Sequence, residues 1–133
     1  MKISDLFLNN SDAHWERYGK CDPYFGVLND DQFKSANIDE GAKTRFFASG
    51  QKHIAGVLDN AREHLDPDFS PANALDFGCG VGRLLIPLSS VVDAVTGIDI
   101  SPSMREEARA NCTEREAANV QLAGDLDELA LID

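Results

Sequence analysis

Four residues at alternate positions, Asp76, Gly78, Gly80 and Gly82, set the chemistry open to this chain. Glycine lets the backbone take positive φ and lets a ligand come close to the main chain. A carboxylate just ahead of such a turn adds an acceptor for a polar ligand. The spacing D-x-G-x-G-x-G follows the short apolar run Ala74-Leu75, so it reads as a strand end, a tight turn and a helix start. The free N–H groups at that helix start would face whatever docks there. The loop suits a nucleotide-type ligand. Two further acids stand in comparable places: Asp99 after the run Ala94–Ile98, and Asp125 after Gly124. An acid at the end of a second strand is placed to accept hydrogen bonds from ribose hydroxyls. Asp99 also suits a helix dipole, and Asp125 suits an ordinary turn. Cys79, between two glycines, is either a reactive thiol or, more simply, a small residue that fits a crowded turn.

The elements that position these groups follow from periodicity. Asn73–Phe77 reads as a first strand, Val81–Val91 as a helix, and Ala94–Asp99 as a second strand. Ser101 to Cys112 and somewhat beyond forms a second helix, with Ser101 as N-cap and Pro102 at the first helical position. Its inner stripe is Met104, Ala108 and Cys112. Asn119–Leu122 is a third short strand. Pro87 falls inside the first helix, where it removes the bond to Arg83 and is expected to bend it. Strand–helix–strand–helix–strand predicts a parallel, doubly wound α/β sheet, with ligands at the carboxyl ends of its strands. Ahead of it, Thr44 to Leu65 is helical, with Phe47, Ile54, Val57, Leu58, Ala61 and Leu65 on the inner face. Asp66-Pro67 ends that helix, and residues 66–72 connect it to the sheet. A short helix near residues 11–18 and then a loop precede it. Trp15 and Tyr18 share a face there, suited either to closing over a ligand or to packing.

The motif can be sorted among nucleotide loops. A dinucleotide-binding turn needs a small residue at the sixth position from Gly78, and that position is Arg83. A phosphate-binding P-loop needs a Lys-Ser or Lys-Thr after its glycines, and none follows. With ALDFGCGVGRL, VTGIDISPSM and QLAGDL in register over some fifty residues, residues 74–125 resemble the cofactor-binding half of class I S-adenosylmethionine-dependent methyltransferases. That resemblance implies a Rossmann-like parallel sheet, of which this sequence carries the first three strands, and S-adenosyl-L-methionine as cofactor. It implies that Gly78, Cys79, Gly80 and Gly82 lie along the methionyl part and that Asp76 orients that end. Asp99 would hold the ribose, Ile100 and Met104 would flank the adenine, and Asp125 with Leu126 would line its edge. Residues 1–66 are similar to a helical lead-in that covers the cofactor, and residues 73–133 form the binding domain. Family members continue through further strands, so an incomplete C-terminus is expected. The residues that line the acceptor site in those members come later, so no catalytic base is identified.

Composition bounds the remaining choices. A formal charge of −11 and a pI near 4.5 argue against a nucleic-acid or anionic-membrane surface. No signal peptide or membrane span is legible, and three cysteines without a C-x-x-C favour neither disulfides nor zinc. His14, His53 and His64 lack ligand spacing, so no metal is expected. Arg45 suits a solvated helix face more simply than a cofactor carboxylate. The expectation is a cytoplasmic methyltransferase with a small-molecule acceptor. The alternative is a binding module that holds the cofactor without turnover; a nicotinamide-dependent oxidoreductase is the rival from another class. The first strand has an open edge, which predicts pairing with a second copy.

Overall fold

Asp39 and Pro67 bracket the longest element. The Asp39 carboxylate accepts from the Ala42 N–H at 2.7 Å, which starts helix α3, Glu40–His64, four residues before the periodicity alone predicted. The computed structural model describes residues 3–129. Ahead of α3 come α1 (Ile3–Cys21), α2 (Pro23–Val27) and a 3₁₀ turn at Asp31–Phe33. The expected loop after residue 18 is therefore largely helical. Pro23 opens α2 at a position where its missing N–H costs nothing. Tyr24, Phe33, Phe46 and Phe47 of this lead-in, with edge-to-face ring pairs 5.1–5.3 Å apart, form one core cluster with Val81 and Met104 from the segment that follows.

The predicted stripe of α3 holds at Phe47, Ile54 and Leu58, all buried, and fails at Val57 and Leu65, which are 49% and 83% exposed. Beyond Leu58 the helix has no further buried residue, and Leu65 at its C-cap stands in solvent. Gly50 explains the closeness of the rest: a Cβ there would overlap the Arg83 carbonyl oxygen.

The sheet has three parallel strands in the order β1 (Asn73–Phe77), β2 (Ala94–Ile98), β3 (Val120–Ala123). Asp76 sits opposite Gly97, and Ile98 opposite Ala123, so the carboxyl ends align. Val95, Cys79, Leu85, Ala108 and Cys112 form the second core, between the sheet and helices α4 (Leu85–Ser89) and α5 (Pro102–Glu114). Met104, Ala108 and Cys112 are all buried, as the inner stripe of α5 predicts.

The helix expected at Val81–Val91 shrinks to α4, and the cause is Pro87. With the start at Leu85, proline falls in the first turn, where no N–H is needed, and the helix does not have to bend. The Arg83 carbonyl that Pro87 cannot bond lies against Gly50 instead. Residues 80–84 are turns, so the glycine loop does not lead straight into a helix N-terminus. After β3 a short helix, α6 (Leu126–Leu129), follows; the rest of the expected approach to a further element, residues 130–133, lies outside the described residues.

Candidate cofactor site

The loop is held from below by β2 and from the side by Asp99. The N–H groups of Gly78 and Cys79 both donate to the Ile98 carbonyl, at 2.7 and 2.9 Å. Asp99 accepts from the Gly80 N–H through Oδ2 at 2.8 Å and from the Ser101 N–H through Oδ1 at 2.9 Å. One carboxylate thus ties the glycine loop to the start of α5. Each oxygen has a further lone pair, so Asp99 keeps capacity to accept from a ligand.

Gly78, Gly80 and Gly82 all have positive φ, at 78°, 53° and 93°. The space beside Gly78 is open, whereas a Cβ on Gly80 would stand 2.5 Å from Val27 Cγ2. Gly78 therefore faces a ligand space and Gly80 faces the lead-in. That space is a cavity of about 430 Å³, within the roughly 300–1,000 Å³ of small-molecule sites. Gly78, Gly80, Asp99, Ile100 and Met104 line it, with Phe77 and Ile98 at the strand ends. Trp15, Gly26 and Val27 close it from the lead-in.

Five of the ten predicted site residues thus meet in one cavity. Asp76, Cys79, Gly82, Asp125 and Leu126 do not line it. Gly82 turns toward Ala108 of α5. Cys79 is 3% exposed, and burial, with Asp99 and Asp76 nearby, pushes its thiol up to about 12, so it is a protonated core residue. Asp125 accepts from the Glu128 N–H at 2.8 Å and caps α6, while Leu126 is 60% exposed. Asp76 stays beside the loop. Burial raises its carboxyl above the usual range, against the pull of Arg83, and the Asp99 charge adds to the rise.

The lead-in is fastened to α5 and its N-cap at two points. The buried Tyr24 hydroxyl donates to Glu107 Oε1 (2.6 Å) and lies 3.1 Å from Asn111 Oδ1. The Asn111 amide donates to the Val81 carbonyl at 2.9 Å, which pins the loop in turn. At the second point, Glu16 of α1 accepts from Ser101 Oγ (2.7 Å) and from the Ser103 N–H and hydroxyl. Burial works against its charge, but these bonds and Lys20 win and hold its carboxyl below the usual carboxylate range. Neither Glu16 nor Asn111 carries a signal in a glycine motif, and Val27 lies in a stretch expected to be loop. Arg45 is spent elsewhere, its Nε donating to Gln32 Oε1 at 2.9 Å.

The comparisons to known proteins bear on the fold that carries this loop. A family model described as a methyltransferase domain matches residues 74–133. The chain has the class I S-adenosylmethionine-dependent methyltransferase fold. It is similar to the aklanonic acid methyltransferase DauC of Streptomyces sp. strain C5, with 49% identity over 36% of this chain and 23% of that one. It is also similar to the 23S rRNA (uracil(1939)-C(5))-methyltransferase RlmD of Mannheimia succiniciproducens, with 39% identity over 92% of this chain and 26% of that one. Among solved structures, magnesium protoporphyrin IX methyltransferase from Synechocystis PCC 6803, with bound S-adenosylhomocysteine, superposes with a TM-score of 0.54 at 25% identity. That match covers 86% of this chain and 51% of the other. The chain spans about a quarter of the length of the two curated relatives. No helix among the described residues is long and apolar enough to cross a membrane.

Proposed function

We propose that this protein is an S-adenosylmethionine-dependent methyltransferase and that the cavity over Gly78 holds the cofactor. The observation that carries this reading is the Asp99 brace: its carboxylate fixes the glycine loop and keeps lone pairs for ribose hydroxyls at the cavity wall. The residues present fit the group. Open space at Gly78 admits close backbone approach, Ile100 and Met104 offer apolar surface for a purine, and Trp15 and Val27 cover it. Asp76 and Gly82 belong to this reading as the groups that orient the methionyl end and seat the loop on α5. Asp125 and Leu126 belong to it as the border of the adenine end beyond β3.

When bound, S-adenosylmethionine supplies an electrophilic methyl group, so the protein's own share is alignment and exclusion of water. The lead-in does that work here. Tyr24, Asn111 and Glu16 hold its helices on α5 and the loop, so the cover is fixed relative to the ribose-binding acid.

The acceptor we propose is a small molecule met in the cytoplasm, because a charge of −11 repels polyanions. An RNA acceptor is the second reading, favoured by the rRNA methyltransferase that aligns over 92% of this chain. Isothermal titration with S-adenosylhomocysteine and with NADH tests the cofactor. Saturable one-to-one binding of the former and none of the latter is expected; the reverse would replace the reading with an oxidoreductase. Methyl transfer from labelled cofactor to small acids or phenols, but not to rRNA, supports the first acceptor class. Binding without turnover on either would leave a cofactor-binding module.

A further inference from the structure

A second cavity, of about 410 Å³, lies on the other flank of the loop, between α3 and Arg83. On a helix, Ser49, Lys52, His53, Gly56 and Asn60 fall on one face, three or four residues apart, and that face forms one wall. Arg83 forms the other. Among the described residues no carboxylate lines this space, in a chain with 23 acids against 12 Lys and Arg.

Arg83 is half-buried, and burial lowers its pKa. Its guanidinium makes one side-chain hydrogen bond, donated from an Nη to Ser49 Oγ at 3.2 Å. Among the described residues neither Arg83 nor Lys52 takes part in an ion pair. A partly desolvated guanidinium with most of its five donors unspent matches the fork geometry of an oxyanion. The Asp76 charge lies within electrostatic reach of both Arg83 and His53, so the cavity adjoins the acid that opens the glycine loop.

We propose that Ser49, Lys52, His53 and Arg83 form an oxyanion site, for a carboxylate or phosphate on a ligand bound across the loop. Arg83 supplies the planar fork, Lys52 a mobile charge and His53 a short-range donor, while Ser49, whose hydroxyl proton goes to the Phe46 carbonyl at 2.6 Å, steadies the Arg83 guanidinium. The oxyanion has two sources: the amino-acid end of the cofactor, or an acid group on the acceptor. The division between these sources rests on the cofactor reading; the site itself does not.

Inorganic phosphate is the probe. Titrated into the 133-residue chain and followed by amide chemical shifts, it should bind saturably, with shifts clustered at Ser49, His53 and Arg83. Arg83→Gln and Lys52→Gln should each weaken it roughly ten- to a hundred-fold, the effect of removing charge-assisted hydrogen bonds. Lys52 is exposed, so K52Q reports on the site even if R83Q lowers the melting temperature. Non-saturating shifts, or affinity unchanged in both variants, would overturn the proposal. The second arm adds S-adenosylhomocysteine or 5′-methylthioadenosine, which lacks the amino-acid end. Competition of phosphate with the first but not the second assigns the site to the cofactor's carboxylate. Binding of phosphate alongside both assigns it to the acceptor. If neither nucleoside binds, the cofactor reading fails while the phosphate titration still decides the site.

Discussion

At the scale of single residues, Asp99 braces the loop and, under the proposed function, also holds the ribose; the two roles separate experimentally. Its oxygens accept from Gly80 and Ser101 in the protein, and the residue lines the cavity. Asp99→Ala is expected to weaken S-adenosylhomocysteine by about 1–3 kcal/mol, the usual loss for hydrogen bonds to a charged group. It should also lower the melting temperature, because two backbone donors lose their partner. Calorimetric titration and thermal unfolding, read together, check this. A normal dissociation constant with a lowered melting temperature would confine Asp99 to bracing. Asp76 differs: it lies beside the loop with its carboxyl held above the usual range by burial, against the pull of Arg83.

At the scale of elements, two contacts decide how the lead-in meets the sheet. Gly50 lets α3 approach the Arg83 carbonyl that Pro87 leaves without an N–H. Gly50→Ala would put a methyl group into that backbone. Despite alanine's better helix propensity, a loss of about 1–3 kcal/mol is expected from overpacking, measured by urea unfolding. A gain in stability would show that the two elements slide apart freely. The second contact is pH-dependent. The Glu16 carboxyl is held below its ordinary value in the fold by its bonds to Ser103 and Ser101, so its stabilisation is present above the unfolded value and disappears as pH falls through the folded one. Trp15, the single tryptophan, sits one residue away and reports on α1. Acrylamide quenching of its fluorescence should rise as pH falls through that folded value in the natural chain, and be raised already at pH 7 in Glu16→Gln.

These elements also show what a sequence makes legible. Strand β1, the Ser101 cap and the Met104–Ala108–Cys112 stripe were readable because local chemistry specifies them: an apolar run, a hydroxyl that accepts from the Met104 N–H at 3.1 Å, a helical period. The start of α4 was not, because it depends on where Pro87 can be tolerated once α3 has claimed the Arg83 carbonyl. In the site, the glycines and Asp99 announce themselves by spacing. Val27, Gly26 and the Arg83 cavity exist only when segments distant in sequence meet, and no local pattern encodes that meeting.

At the scale of the whole molecule, the two faces of the sheet are unequal. Val95 and its neighbours are buried under α4 and α5, whereas Leu75 and Phe77 of β1 are 54% and 69% exposed on the other face. Strand β1 is also an edge strand among the described residues, with a row of backbone donors and acceptors facing outward. An edge of this kind, flanked by apolar side chains, is a template for pairing with another chain, and charge placed there opposes it. These 133 residues in solution are therefore expected to self-associate through β1 as a second copy is added. Light scattering across a concentration series should show dimers or larger species. Leu75→Lys should shift the population to monomer without touching the cavity, which Leu75 does not line. Cofactor affinity is then the control: preserved binding with lost association separates the edge from the site. A monomer at every concentration would mean that burial of Leu75 and Phe77 is not worth the ordering of two edges against each other.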